Sequence, residues 1–531
     1  MKRRDFLSTV TVGSGAMAFA RGSAKRPNLV FLLADDMRFD ACGFMGNKDV
    51  KTPNLDRLAD RGVVFDRAYD TTAICMASRA QLMTGKLEFS TGCNFEHGHM
   101  SMPIWEESYP MLLRKSGYFT GFAGKFGFDV EPQGKAKGAH VVRPCFDWWG
   151  GWMGQGSYEV SANKDAVAWH EKHAGEKEHT TRALGVLGQD FIQQANDSGK
   201  PFCLSISFKA PHTPYATDPR YDEVYNGATF AKPENFGPEA AAHLPKQPFA
   251  GRPPTKGKGW VKDFDGTSRQ YHQMVYGMDQ AVGMVMDELE KQGVADNTVI
   301  IFTSDNGYFN GSKGFAGKIY AYEEASRAPL VVFDPRHPSA GKKQRVDQLT
   351  GNIDIAPTLL DLAGVKVPFG MQGKSMLPML GNPGHVNHQT LPLINVWGAR
   401  PAHSLAVVSR DWKYVNWFYG ADGYAPTEEL YSMQHDRLEN RNLATSPEQR
   451  RTLDALRKQY DAWLGVWAQE GVPNNGYRKY IRLADRTFDW SSADPELVET
   501  MGAIDEAARN GAGKKVNEKK AQKKARKKGM G

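Results

Sequence analysis

Two pairs of oxygen-bearing residues far apart in the chain, Asp35-Asp36 and Asp305-Asn306, are the first groups able to do chemistry. Each pair follows a short apolar run, Asn28 to Ala34 and Thr298 to Thr303. Three carboxylates and an amide oxygen gathered in one place repel unless a cation neutralises them. Such a set suits Ca²⁺ first and Mg²⁺ second; zinc is disfavoured because no His or Cys lies adjacent. Asp-Asn-Gly is by itself a turn signal, so the metal reading rests on both pairs together. The second group is Cys75-Met76-Ala77-Ser78-Arg79, with Thr84-Gly85 behind it. A helix beginning near Ser78 and ending by Gly85 would hold Cys75 at its N-terminus, where the dipole favours an anion, with Arg79 one turn on. Alone, such a cysteine reads as a small buried hydrophobe.

The positioning elements are legible around these groups. Tyr118 to Ala123 runs into Gly124-Lys125, Phe202 to Phe208 into Lys209-Ala210-Pro211-His212, and Leu330 to Phe333 into Asp334-Pro335. Short continuous apolar runs of this kind predict strands buried on both faces. Helical patterns alternate with them: one opened by Thr52-Pro53 and closed by Gly62, one over about 108–116, and one over about 270–292. The alternation predicts an α/β fold with a mainly parallel sheet flanked by helices, whose ligand sits at the carboxyl ends of the strands. Asp35, Asp36, Lys125, His212, Asp305 and Asn306 would meet there. Beyond Leu380, short strands at 405–409, 413–417 and 429–432 and a helix at 450–467 predict a smaller α+β domain. The expected divisions are 26–385 and 390–500. The Gly-, Trp- and His-rich stretch 131–178 and the Pro-, Gly- and Lys-rich stretch 213–267 read as long insertions over the site.

Cys75-x-Ala77-Ser78-Arg79 with Thr84-Gly85 resembles the maturation signature of the type I, formylglycine-dependent sulfatases, with Ala77 where proline is commoner. Arg26 to Asp36, Thr52 to Ala59, Ser304 to Gly307, and Lys318 with Tyr322-Glu323 follow in family order. Trp412 to Tyr414 and Glu429 to Leu443 resemble the family's small domain. The resemblance spans roughly 26–445 and implies the alkaline phosphatase superfamily fold. It implies that Cys75 is oxidised to formylglycine by a maturation enzyme, and that its hydrated gem-diol, polarised by Ca²⁺ and so joining the metal set, attacks sulfur. It further implies that Arg79, Lys125, His212 and Lys318 stabilise the sulfuryl oxygens and the leaving group, with His212 or Lys318 as general acid. One departure stands out: the family follows Gly-Lys with a residue and then His, whereas here the sequence continues Phe126-Gly127. His97, His99 and His140 are the histidines weighed as substitutes.

The chain has 531 residues, 40% hydrophobic and 24% charged, as in soluble globular proteins, and no apolar run long enough to span a bilayer. Its formal charge of +7 is a property of one end: Lys514 to Gly531 hold nine Lys/Arg against Glu518, a tail of +8 that leaves −1 for the rest. The tail, 505–531, is expected to be disordered. It reads either as a solubilising terminus or as a contact for a polyanion, and no nucleic-acid partner is expected. Residues 1–20 read as a twin-arginine export signal: Arg3-Arg4, a weakly apolar stretch from Val10 to Phe19, and Ala18-Phe19-Ala20 as a cleavage site. That predicts a periplasmic or secreted protein exported by the twin-arginine machinery. Five cysteines at irregular spacing do not suggest a disulfide framework. An exported enzyme points to a sulfated carbohydrate as substrate. Trp148, Trp149 and Trp152 offer either sugar-stacking faces or a local core. His170, His173 and His179 are expected on a polar surface. Two rival functions remain: a phosphonate or phosphate ester hydrolase of the same superfamily, and a catalytically silent protein binding sulfated glycans.

Overall fold

The computed structural model describes residues 25–131, 139–163, 179–252 and 259–501. The expected export signal, His170, His173 and the basic tail lie outside the described residues, as does the side chain of His140. The described strands are, in chain order, β1 (Asn28–Asp35), β2 (Val63–Phe65), β3 (Ala68–Tyr69), β4 (Phe119–Lys125), β5 (Trp148–Trp152), β6 (Phe202–Pro211), β7 (Thr298–Ser304) and β8 (Arg327–Ala328). Then come β9 (Leu330–Phe333), β10 (Gln344–Val346), β11 (Thr350–Gly351), β12 (Thr390–Asn395), β13 (Ser404–Ser409), β14 (Trp412–Trp417) and β15 (Thr427–Ser432). Five helices matter most here: α1 (Pro53–Arg61), α2 (Cys75–Thr84), α3 (Thr180–Asp197), α4 (Phe264–Lys291) and α5 (Arg450–Glu470).

Eight strands form one sheet in the order β10-β2-β9-β7-β1-β6-β4-β5. From β7 to β5 every neighbour is parallel, and β9 alone runs against both its neighbours. The sheet is therefore mainly parallel, as its unbroken apolar strands predict. Successive residues of β1 go to opposite sides. Val30, Leu32 and Ala34 join the core under α3 and α4, while Leu29, Phe31 and Leu33 join the core containing Leu82 of α2 and Leu359.

Several elements differ from the sequence reading. α2 begins at Cys75 itself rather than near Ser78, and closes on Gly85 in the left-handed conformation (φ 64°). α4 begins earlier than 270, because the Asp263 side chain accepts from the Gly266 N–H and caps it. The stretch 131–178 is not all insertion, since it supplies the edge strand β5. Of the two readings of the tryptophans, the local core is the one realised. Trp149 stacks on Phe122 at 5.3 Å, Trp148 meets Phe191 edge-on at 5.5 Å, and Trp152 is buried. His179 is also buried, stacked on Tyr158 with Nε2 against the Ala216 carbonyl.

The C-terminal strands form an antiparallel sheet, β12-β13-β14-β15, covered by α5. β12 was not foreseen because Pro392 lies in its middle; it is an edge strand, where proline is tolerated. One hydrophobic core joins this sheet to Phe309, Phe315, Ile319 and Tyr322, in the segment that carries Lys318. A buried ionic network reinforces the join. Lys413 of β14 donates to the Ala321 carbonyl (2.8 Å), Glu323 (2.7 Å) and Glu439 (2.6 Å), and Lys313 pairs with Glu324 at 2.9 Å.

Candidate functional site

The carboxyl edge of the large sheet brings the predicted residues together. Asp35 ends β1, Lys125 ends β4, His212 follows β6, and Asp305-Asn306 follow β7. β1 and β7 pair in parallel from Asn28 with Thr298 to Ala34 with Ser304, so both acidic pairs emerge on the same rung. The join is tied further: the Asp305 N–H donates to the Ala34 carbonyl (3.0 Å), that of Asp36 to Asp305 Oδ1 (3.2 Å), and that of Met37 to Ser304 Oγ (3.0 Å). Asp36 itself turns in the left-handed region, φ 64°. The carboxylate of Asp36 thereby meets Asn306, whose Nδ2 donates to Asp36 Oδ1 at 2.7 Å.

Cys75, the first residue of α2, is buried in this cluster. Its Sγ lies 3.4 Å from Asp35 Oδ1 and accepts from Lys318 Nζ at 2.7 Å; the same ammonium pairs with Asp36. Arg79, one turn along α2, donates through Nε to Asp305 (2.8 Å) and through a terminal nitrogen to the Lys125 carbonyl (2.7 Å) and to Ser207. Lys125 donates to Asp35 Oδ2 (2.5 Å) and to Gln155 (2.7 Å). His212 Nε2 stands 3.7 Å from Asp36 Oδ2. Lys318 is followed by Ile319 at φ 97°, a conformation β-branched residues avoid and one that stores about 1–3 kcal/mol of strain at a point that aims the lysine.

The electrostatics follow from burial and charge. Burial would raise Asp35, but Lys125, His212, Arg79 and Lys318 together hold it well below the usual carboxylate range. Asp305 is pushed up to about 6 by burial and by Asp35 beside it. Burial, followed by Asp35, pushes the Cys75 thiol up to about 12, so the unmodified residue is a protonated thiol at neutral pH. Burial would lower Lys318, yet Asp36, Cys75, Asp35 and Asp305 raise it well above its ordinary value. Burial lowers His212.

The oxygens of Asp35, Asp36 and Asn306 fit a hard divalent cation, but the sequence expectation that no Cys or His lies adjacent to them is corrected by the fold, which brings Cys75 and His212 into the cluster. Ligand atoms of Asp35, Asp36, Cys75 and His212 all lie within 4.8 Å of one another, and Asn306 Oδ1 is buried without a hydrogen-bond partner. A buried amide oxygen left unpaired is costly, and a cation beside it would satisfy it.

Not every residue weighed from the sequence arrives here. His97 is buried elsewhere, against Tyr477 and Tyr480 with Nε2 on the Val396 carbonyl (2.8 Å), and burial lowers its pKa to about 4. His99 is exposed beside Asp129. Gly127 has φ 81°, and a Cβ built on it would stand 2.5 Å from Cδ of Arg79. The space where a side chain would start is filled by that arginine. The sequence reading passed over Ser207, Gln155 and Tyr158. Tyr158 OH donates to the carbonyls of Lys209 (2.9 Å) and His212 (2.6 Å), fixing the turn after β6. The alternation Ser205, Ser207, Lys209 in an otherwise apolar run was the available signal that one face of β6 is polar.

Comparison with known proteins agrees with this geometry. The sulfatase family model matches residues 27–365, and the N-sulphoglucosamine sulphohydrolase C-terminal model matches 311–463. An N-acetylglucosamine-6-O-sulfatase of Bacteroides thetaiotaomicron is 29% identical, over 79% of this chain and 83% of that protein. The human N-acetylglucosamine-6-sulfatase is 28% identical, over 72% and 69%. A solved structure in complex with its substrate D-glucosamine-2-N,6-O-disulfate superposes with a TM-score of 0.69 at 25% identity, covering 85% of this chain and 100% of that one. The phosphonate monoester hydrolase of Agrobacterium radiobacter shares the fold, with a TM-score of 0.68 at 20% identity over 84% and 96%.

Proposed function

The chain belongs to the sulfatase family, whose members hydrolyse sulfate esters, and from that premise we propose that it removes sulfate from a carbohydrate with position 75 as nucleophile. The observation that carries the reading is the meeting of Cys75 Sγ with Lys318 Nζ at 2.7 Å and Asp35 at 3.4 Å, at the first residue of a helix and inside an acidic cluster. The substrate class is supported by the hexosamine 6-sulfatases among the relatives.

In this reading Cys75 is oxidised to formylglycine, which supplies an oxygen nucleophile that a buried thiol does not. Asp35, Asp36, Asp305 and Asn306 are the residues that would hold a calcium ion, and the chemistry it would supply there is Lewis-acid polarisation. The chain's own groups do the rest. Arg79, fixed by Asp305, Ser207 and the Lys125 carbonyl, presents a rigid positive charge at the start of α2. Lys125 and Lys318 add ammonium donors on either side of Asp35 and Asp36. His212, 18% exposed beside Asp36, is the group that in its protonated form can pass a proton to a leaving sugar oxygen, and burial, which lowers its pKa, makes that proton easier to give up. The twin-arginine pattern of residues 1–20 supports export to the periplasm or medium.

The test is peptide mass spectrometry at position 75 after co-expression with a formylglycine-generating enzyme, with turnover of an aryl sulfate, glucosamine 6-sulfate and an aryl phosphonate ester. Conversion with sulfate turnover is expected. Faster phosphonate cleavage would move the protein to the rival hydrolase class. Conversion without turnover of any ester would leave a glycan-binding protein.

A further inference from the structure

Lys209 has no part in the mechanism above, and its surroundings ask for one. The residue is 4% exposed. It follows Ser205 and Ser207 in alternation on β6, so the three share a face, and Ser207 on that face receives Arg79. β6 lies between β1 and β4. Its register pairs Ser207 with both Leu33 and Gly124, then jumps to pair Pro211 with Asp35. Lys209 therefore sits in the irregular stretch of β6 flanked by Asp35 on one side and Lys125 on the other.

Its ammonium makes no hydrogen bond or ion pair with any described residue. Its close partner is the Tyr158 ring, 5.2 Å from the centroid. The other cations of the cluster are paired: Arg79 and Lys125 with Asp35, Arg79 with Asp305, Lys318 with Asp36. Three carboxylates face three paired cations, and Lys209 is the surplus. A buried, unpaired ammonium is costly, and an incoming anion removes that cost. Burial also lowers its pKa, while Asp35 and Asp36 oppose that.

We infer that Lys209 is a further substrate-binding group, holding an oxygen of the anionic sulfate-ester moiety from β6 beside Lys125, in a site where Gly127 contributes no side chain. The inference rests on the sulfatase reading above, and its test separates the two. Inorganic sulfate is titrated calorimetrically into the full chain and into Lys209→Met and Lys209→Gln, which remove the charge and keep a long side chain. KM and kcat for an aryl sulfate are measured on the same proteins after formylglycine conversion is verified. Both variants are expected to bind sulfate about tenfold or more weakly, with KM raised in step and conversion at position 75 unchanged. Lys209→Arg is expected to recover part of the affinity, which a purely structural role would not produce. Two variants are used so that one failing to fold still leaves a reading. A folded Lys209→Met or Lys209→Gln that binds sulfate as tightly as the parent chain overturns the inference, whatever the activity. Failure of the parent chain to cleave any sulfate ester, with sulfate binding still dependent on Lys209, would instead overturn the functional reading and leave the anion site standing.

Discussion

Replacing Gly127 with alanine tests whether Arg79 is locked in place. The backbone there has φ 81°, where a side chain costs about 1–2 kcal/mol. The new Cβ would stand 2.5 Å from Arg79 Cδ and 3.0 Å from its Nε. No methyl fits at that distance, so the guanidinium must withdraw. It would then give up the 2.8 Å bond to Asp305 and the 2.7 Å bond to the Lys125 carbonyl. Hydrogen bonds to a charged group contribute about 1.5–3 kcal/mol each, so losing one of them with the backbone strain costs about 3 kcal/mol or more. Urea unfolding of the parent and variant measures the stability; kcat/KM on an aryl sulfate, after conversion at position 75 is checked, measures the site. A fall of about a hundredfold in kcat/KM is expected. Gly127→His, which restores the residue the family carries, is expected to be at least as damaging. If either variant keeps the parent's stability and kcat/KM within twofold, the picture of an arginine occupying that space is refuted.

Lys413→Met removes a fully buried ammonium and leaves Glu323 and Glu439 facing each other. A loss of about 3–5 kcal/mol is expected in urea unfolding. Chelation with EGTA is expected to lower both the melting temperature and aryl sulfate turnover, with calcium restoring them, since Asp35, Asp36, Asp305 and Asn306 offer it oxygen donors. His97 stays neutral in the fold down to about pH 4 but takes up a proton in the unfolded chain below about 6.5. The unfolded state therefore binds more protons between those values, and the stability tied to His97 falls as pH drops through that window. Relative to His97→Gln, the parent is expected to lose about 1.4 kcal/mol per pH unit between 6.5 and 4 in denaturation series.

The residues with strong local signals were legible. Asp35-Asp36 and Asp305-Asn306 announce themselves because each ends an apolar run, and strand ends are where a parallel sheet delivers its polar groups. Lys125 and His212 lie at equivalent ends of β4 and β6. What stayed hidden depends on contacts between distant segments. Gln155 reaches Lys125 only because β5 closes the sheet edge, and nothing in Trp148–Trp152 distinguished an edge strand from an exposed aromatic loop. The start of α4 was missed because its cap, Asp263, sits in a stretch whose Gly and Lys content reads as loop. The exclusion at Gly127 was invisible for the same reason. The sequence shows a missing histidine, while only the packing of α2 against the end of β4 shows that Arg79 stands in the way.

The rung shared by β1 and β7 has a consequence for how this chain tolerates change. From Asn28 with Thr298 to Ala34 with Ser304 the two strands keep step without a bulge. One residue added inside either strand would turn a carboxylate to the opposite face and dismantle the acidic cluster, because side chains alternate. Length added to the surface stretches between them would leave that alignment intact. Insertional scanning should therefore divide the molecule sharply, with strands that accept no change in length and connecting segments open to it. The latter, excluding the turn after β6 that carries His212, are where length can be added without disturbing the cluster at the strand ends.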